Sequence, residues 1–247
     1  MITAGLDVGS RTTKIVTFNG EILHAALVPT GVKPLERCFE LLRDVRFDKL
    51  TVTGYGRHLV AEGLQAAVIS EISAVAAGAV YLYPDCGTVI DIGGQDSKVI
   101  QLSDKGNVQK FEMNDRCAAG TGKFLEVMAN TLEVPVSELG GLALSATKVV
   151  RINSLCTVFA ESEVVSLIAR GEDVNAIAMA LHRAVATRVA GMVRRVGIRG
   201  RVVFAGGVAQ NPCLVKLLGE ELDIALTVPE QPQLVGALGA ALITKRN

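Results

Sequence analysis

Two aspartates and two lysines share one spacing in this chain. Gly5 to Val16 reads GLDVGSRTTKIV and Val89 to Ile100 reads VIDIGGQDSKVI, so Asp7, Gly9 and Lys14 fall on Asp91, Gly93 and Lys98, always 84 positions apart. Apolar residues flank both copies. Such a match is read as an internal duplication, and each copy as a strand, a tight turn and a returning strand. An aspartate in an apolar run is a poor core residue unless it serves a cation or a hydrogen-bond network. Glycines let the backbone approach a ligand, and consecutive N–H groups cradle an anion. Two such hairpins facing each other would clamp a polyphosphate and its magnesium, an ion that keeps most of its waters and takes few carboxylates. One copy alone would be an ordinary hairpin; the duplicated aspartate tips the reading toward the clamp.

A third stretch, Ala205-Gly206-Gly207-Val208, follows a predicted strand and precedes a helix. Open α/β sheets bind ligands at that position, and a flat base would lie across the two glycines. Alone, the stretch is equally a plain strand-to-helix turn; beside two phosphate hairpins it reads as a nucleoside site.

The cysteines are the other reactive residues. There are five, with no CxxC pair. Cys117 and Cys156 are each expected just before a helix, where partial positive charge and free N–H groups lower a thiol pKa. Two thiolates look like half of a metal site, since an iron–sulfur cluster or structural zinc usually takes four ligands. A second copy of the chain about a two-fold axis would supply the rest. From spacing alone, the plainer alternative of two small buried cysteines is ahead. The run from Cys117 to Phe124 suggests a Walker A loop, but that motif requires Gly where Cys117 stands and Ser or Thr where Phe124 stands, and it is rejected.

The elements that must position these residues alternate between strand and helix. Ile2–Val8 and Thr12–Phe18 form the first hairpin, and 21–29 a third strand. Leu35–Arg43 is an amphipathic helix, 50–53 a short strand, and Ser70 opens an alanine-rich helix to about Tyr83. After Pro84, strands are expected over 87–92, 97–102 and 108–113, and a helix over 123–132. A short strand over 149–152, helices over 157–169 and 173–196, a strand over 201–204 and two closing helices complete the pattern. This order is α/β. The duplication divides it into a lobe of residues 1–84 and a lobe of residues 85–247, with the last helix, 233–245, packing back on the first lobe.

Composition narrows the class. Hydrophobic residues make up 49% of 247 residues, enough for a sizeable core, and 25 basic residues balance 25 acidic ones. No charge excess points to nucleic acid or a membrane surface. The N-terminus lacks the pattern of a signal peptide, and the longest apolar run, Ile72–Tyr83, is too short to span a bilayer. Scattered cysteines, odd in number, do not form a disulfide framework and fit a reducing cytoplasm.

These motifs resemble a known group. The paired Asp-x-Gly hairpins with Ala205-Gly206-Gly207 are similar to the actin, heat-shock chaperone and sugar-kinase superfamily. Within it, GLDVGSRTTK, TGYGR, EISA, DIGGQDSK, NDRCAAGTGKFLE, NSLCTVFAESEV, AGGVAQN and PQLVGALGAA resemble the ATP-dependent activators of 2-hydroxyacyl-CoA dehydratases and the ATPase subunits of benzoyl-CoA reductases. The resemblance implies a two-lobed actin-like ATPase fold with a duplicated β-hairpin/βαβ core of the ribonuclease H-like kind. It also implies ATP or ADP with Mg2+, and a homodimer sharing one 4Fe–4S cluster through Cys117 and Cys156 of each copy. Ferredoxin or flavodoxin would supply an electron, which ATP hydrolysis drives into a dehydratase or reductase partner.

Residue roles follow from motif and resemblance together. Gly9, Ser10, Thr12, Thr13 and Lys14 would contact the terminal phosphates. Asp7 and Asp91 would hold magnesium through water. Gly93, Gly94, Gln95 and Asp96 would cradle the γ-phosphate, with Gln95 orienting the attacking water. Gly206, Gly207 and Val208 would floor the adenine site, with Asn211 and Gln233 nearby. Arg11 departs from the small residue expected in the first loop, and either touches phosphate or lies in solvent. A small-molecule kinase on the same fold, with Asp115 or Glu126 as base, and a nucleotide-sensing module are the alternatives.

Overall fold

The computed structural model describes residues 1–154 and 156–246. Its first part runs β1 (Thr3–Val8), β2 (Thr12–Phe18), β3 (Ile22–Pro29), α1 (Pro34–Leu42), β4 (Lys49–Thr53), α2 (Arg57–Leu64), β5 (Ala67–Val68) and α3 (Glu71–Leu82). The second part runs β6 (Cys86–Ile92), β7 (Ser97–Leu102), β8 (Val108–Asn114), α4 (Gly122–Thr131), α5 (Leu139–Leu144), α6 (Thr157–Ala169), α7 (Val174–Val196), β9 (Arg201–Ala205), α8 (Pro212–Leu222), β10 (Leu226–Thr227) and α9 (Val235–Arg246).

Two five-stranded sheets result, in the orders β3-β2-β1-β4-β5 and β8-β7-β6-β9-β10. They are the same topology written twice. In each, the first strand pairs antiparallel with its hairpin partner and parallel with the fourth strand. The hairpin register places Asp7 opposite Lys14 and Asp91 opposite Lys98. Alternation along a strand then sends neighbours to opposite faces. Leu6 and Val8 join a core with α1 and α2, and Ile90 and Ile92 join the large core under α7 and α8. Both aspartates therefore face the other way.

Those other faces are covered reciprocally. α9, from the end of the chain, packs Ala237, Leu238 and Ala241 on Val16 and Phe18 of the first sheet. α3 packs Val75, Ala76 and Ala79 on Val89, Ile100 and Leu102 of the second. Where α3 and α9 cross, glycines bring backbone against backbone. A Cβ on Gly78 would lie 2.1 Å from the Val235 carbonyl oxygen, and one on Gly239 would lie 1.7 Å from that of Ala74.

Local signals account for several helix ends. Ser70 caps α3 through the Ser73 N–H, Asp173 caps α7 through that of Asn175, and Asn211 caps α8 ahead of Pro212. Three expectations are corrected. Residues 149–152 are irregular rather than a strand. α2 and α5 were not anticipated. The longest apolar helix is α7, not 72–83; by length and composition it matches a membrane span, but 67% of its apolar window is buried in the fold.

Candidate functional site

A cleft of about 780 Å³ runs between the two hairpins. Gly9, Ser10, Arg11, Thr12 and Lys14 line one wall, and Gly93, Gly94, Gln95 and Asp96 the other. Asp7 and Asp91 stand between them, and Gly206, Gly207, Val208, Asn211 and Gln233 line the same space. Thr13 is the exception. It is buried, and its hydroxyl meets Thr30 Oγ1 at 3.0 Å while the Thr30 hydroxyl donates to the Gly9 carbonyl at 2.7 Å. The even positions of β2 face the cleft and Thr13 does not, so it braces the loop from behind.

Each aspartate is seated by a glycine at positive φ. Gly54 follows β4 and Gly206 follows β9, with φ of 95° and 85°. A Cβ there would lie 2.5 Å from Asp7 Oδ1 and 2.6 Å from Asp91 Oδ1, respectively. Only glycine leaves this room without backbone strain. The Gly206 N–H also donates to the Pro232 carbonyl, which pins the glycine turn to the segment leading into α9.

Charge in the cleft is unbalanced. Six carboxylates (Asp7, Glu71, Asp91, Asp96, Asp115, Glu126) line it against four cations (Arg11, Lys14, Arg57, Lys98). Lys98 Nζ is buried among Asp96, Glu71 and Asp91, at 2.8, 2.9 and 3.5 Å. Burial pulls the Lys98 pKa down, but the three carboxylates outweigh it and the ammonium is held well above its usual range. Burial also raises Asp91 and Glu71, and Lys98 only partly counters it. The two directions conflict only for an isolated pair. One ammonium cannot satisfy three carboxylates, so Lys98 keeps its proton and surplus negative charge remains. A divalent cation would relieve it. Two aspartates at the cleft face are a donor set that fits magnesium, which takes few carboxylates and keeps several waters.

The helix after the second loop does not offer its N–H groups to phosphate. Gly122 and Lys123 donate theirs to the Gly93 and Gly94 carbonyls at 2.9 and 2.7 Å, which accords with rejecting a Walker A loop here. Behind Asn211, His182 is fully buried in α7 and burial lowers its pKa. Its Nδ1 faces the Ala178 carbonyl at 2.7 Å and therefore carries the proton, so Nε2 accepts from Asn211 Nδ2 at 2.9 Å. This orients Asn211 Oδ1 onto the Leu214 N–H.

The cysteines divide into two sets. Cys38, Cys86 and Cys213 are buried, and burial pushes each thiol up to about 11. Cys156 is exposed and is the N-cap residue of α6. Cys117 is half-buried, but α4 is capped by Thr121, so Cys117 lies in the loop before the helix rather than at its start. Asn114 Nδ2 holds that loop through the Cys117 and Ala119 carbonyls. α4 packs against α6, with Thr131 at the far end of α4 donating to Glu161 at 3.3 Å. Two buried polar atoms beside these segments, Thr157 Oγ1 and Arg188 Nε, have no partner. The exposed start of α6 is apolar, with Val158 66% and Phe159 67% accessible. Cys156 thus stands at an open apolar helix start, and Cys117 in the loop before the helix that packs against it.

Sequence reasoning missed Glu71, Arg57 and the buried role of Lys98. The Lys98 match in the repeat and the Ser70-Glu71 helix start were the available signals.

The chain is similar to several known proteins. A family model described as the BadF/BadG/BcrA/BcrD ATPase family matches residues 4–244. The (R)-2-hydroxyglutaryl-CoA dehydratase activating ATPase of Acidaminococcus fermentans is 46% identical over 250 residues, covering 97% of this chain and 95% of its own. The crystal structure of component A of that organism's (R)-2-hydroxyglutaryl-CoA dehydratase superposes with a TM-score of 0.93 at 44% identity, covering 100% and 98% of the two chains. The activator of the 2-hydroxyisocaproyl-CoA dehydratase from Clostridium difficile, with bound ADPNP, gives 0.90 at 42% identity, covering 99% and 94%. The chain has the actin-like ATPase fold and belongs to the BadF/BadG/BcrA/BcrD ATPase family.

Proposed function

We propose that this protein is an ATP-hydrolysing electron donor that activates a partner enzyme, a 2-hydroxyacyl-CoA dehydratase or a related reductase. The observation that carries the reading is the division of the cysteines: three are buried, whereas Cys117 is half-buried in the loop before α4 and Cys156 is exposed at the open apolar start of α6. In this reading two copies meet across α6, and Cys117 and Cys156 of each hold one 4Fe–4S cluster. When bound, such a cluster supplies a one-electron carrier. Ferredoxin or flavodoxin is the electron source in this reading, and the cytoplasm its setting.

The chain's own residues do the nucleotide work. Lys14 and the loops at Gly9–Thr12 and Gly93–Asp96 bind the phosphates. Asp7 and Asp91 would hold Mg2+, which would supply positive charge against the surplus carboxylates around Lys98. Gln95, exposed at the tip of the second loop, orients the attacking water. Gly206, Gly207 and Val208 seat the base, with Gln233 beside them and Asn211 fixed by His182. The lobes, residues 1–84 and 85–247, turn about the α3–α9 crossing as the nucleotide changes.

Iron and acid-labile sulfide on anaerobically purified protein, with its mass in solution, test this. About two irons and two sulfides per chain in a dimer are expected. Cys117→Ser or Cys156→Ser should lose the iron and retain nucleotide binding, while Cys213→Ser should keep both. An iron-free protein that hydrolyses ATP would reject electron transfer and leave the small-molecule kinase as the reading to pursue.

A further inference from the structure

Arg11 belongs to the first phosphate loop, and its guanidinium crosses the cleft to α4. Nε donates to Glu126 Oε1 at 2.8 Å, and Nη2 reaches Oε2, a bidentate pair. The side chain also lies over the second phosphate loop, where a Cβ on Gly94 would come within 2.3 Å of Arg11 Cγ. One residue thus touches both phosphate loops and a helix of the second part of the chain. Glu126 is one turn into α4, whose first two N–H groups are already bound to the Gly93 and Gly94 carbonyls. The segment directly before this turn is the Cys117 loop.

We propose that Arg11 and Glu126 form a switch operated by the γ-phosphate, with Glu126 as the residue that makes the cleft discriminate triphosphate from diphosphate. This rests on the nucleotide reading of the cleft. The pair is suited to exchange. Arg11 is 50% and Glu126 22% accessible, so water reaches the pair and can take the place of either partner. A γ-phosphate carries more charge than one carboxylate and accepts the same two-pronged contact. Glu126 is not stranded when Arg11 leaves, because Lys123 Nζ already stands 3.8 Å from Oε2. With diphosphate, Arg11 ties the first loop to α4. With triphosphate, Arg11 turns to the phosphate, and α4 keeps its contacts to the second loop and to α6 but loses its tie to the first loop.

The test is calorimetric binding of ADP and of a non-hydrolysable ATP analogue to the anaerobically purified protein, for wild type, Arg11→Gln, Glu126→Gln and the double variant. Arg11→Gln should lose about tenfold in affinity for the triphosphate, one charge-assisted contact, with ADP nearly unchanged. Glu126→Gln should bind the triphosphate several-fold more tightly, and the double variant should behave as Arg11→Gln. Hydrogen exchange across residues 114–126 should rise with the analogue in wild type and not in Arg11→Gln. Equal effects on the two nucleotides, or weakened triphosphate binding in Glu126→Gln, would overturn the switch. Arg11→Lys guards against misfolding: it keeps the charge and should retain part of the discrimination. Iron content separates the two hypotheses, because the discrimination is read from binding alone. Iron-free protein with the expected shifts would fail the electron-transfer reading and keep the switch; iron-loaded protein without them would do the reverse.

Discussion

The two Asp-x-Gly hairpins share a register and differ in their surroundings. In the first, Lys14 is 13% accessible and pairs with one carboxylate, Asp7, at 3.0 Å. In the second, Lys98 is 2% accessible and pairs with three. The covering helices create the difference. The start of α3 brings Glu71 to Lys98, and Arg57 Nη1 stands 3.4 Å from Glu71 on its other side. The start of α9 brings Gly236, whose missing side chain leaves space next to Asp7 Oδ2. One frame thus carries two jobs: Lys14 is left within reach of a ligand, and Lys98 is consumed in holding acids together. Repeated letters locate a duplicated hairpin, but the neighbours decide what each lysine does.

The sharpest way to break this comparison is to remove each lysine. Lys98→Met leaves three carboxylates without their buried ammonium and should cost about 3–5 kcal/mol in urea denaturation. Lys14→Met should cost about 1–2 kcal/mol, since water reaches Asp7, and should instead weaken nucleotide binding. Equal losses would mean that the two lysines are equivalent after all.

The glycines probe what the hairpins share. Gly54→Ala and Gly206→Ala each force a side chain into positive φ against an aspartate, for about 1–3 kcal/mol of strain, and each should depress ATP turnover. Normal turnover in either variant would show that only one aspartate serves the metal.

The smallest effect is on pH. Burial raises the pKa of Asp91 and Glu71 above the ordinary carboxylate range. The folded protein therefore holds protons that the unfolded chain has released, and stability falls as pH rises through that interval. Thermal melts without nucleotide should show this decline from the ordinary carboxylate range upward. Magnesium with ADP should flatten it, and Asp91→Asn should remove part of it. A decline of equal slope in Asp91→Asn would place its origin elsewhere.

The sequence made the first-order site readable because its parts lie within single hairpins. Asp7 and Lys14 lie seven positions apart in a fixed register, so spacing reveals them. The second duplication, Gly54 with Gly206, was hidden. Its flanks, TGYGR and AGGVA, share little, and only the parallel pairing of β4 with β1 and β9 with β6 makes the two equivalent. Lys98 with Glu71 and Arg11 with Glu126 join residues 27 and 115 positions apart, a distance at which no local pattern carries information. β5 and β10 have two residues each, too few for alternation, and α5 has two glycines inside six residues. Cys117 was placed at a helix start because small residues follow it; positive φ at Gly120 instead continues the loop to Thr121.

The reciprocal covering by α3 and α9 bears on how the chain must be made. Cut between Pro84 and Asp85, it would yield two fragments, each holding the helix that the other's sheet requires. Neither would bury its apolar face alone, and a mixture should assemble where the separate pieces aggregate. On the ribosome, the first sheet waits for α9 before Val16 and Phe18 are covered. The first part of the molecule is therefore closed only after α9 has been made.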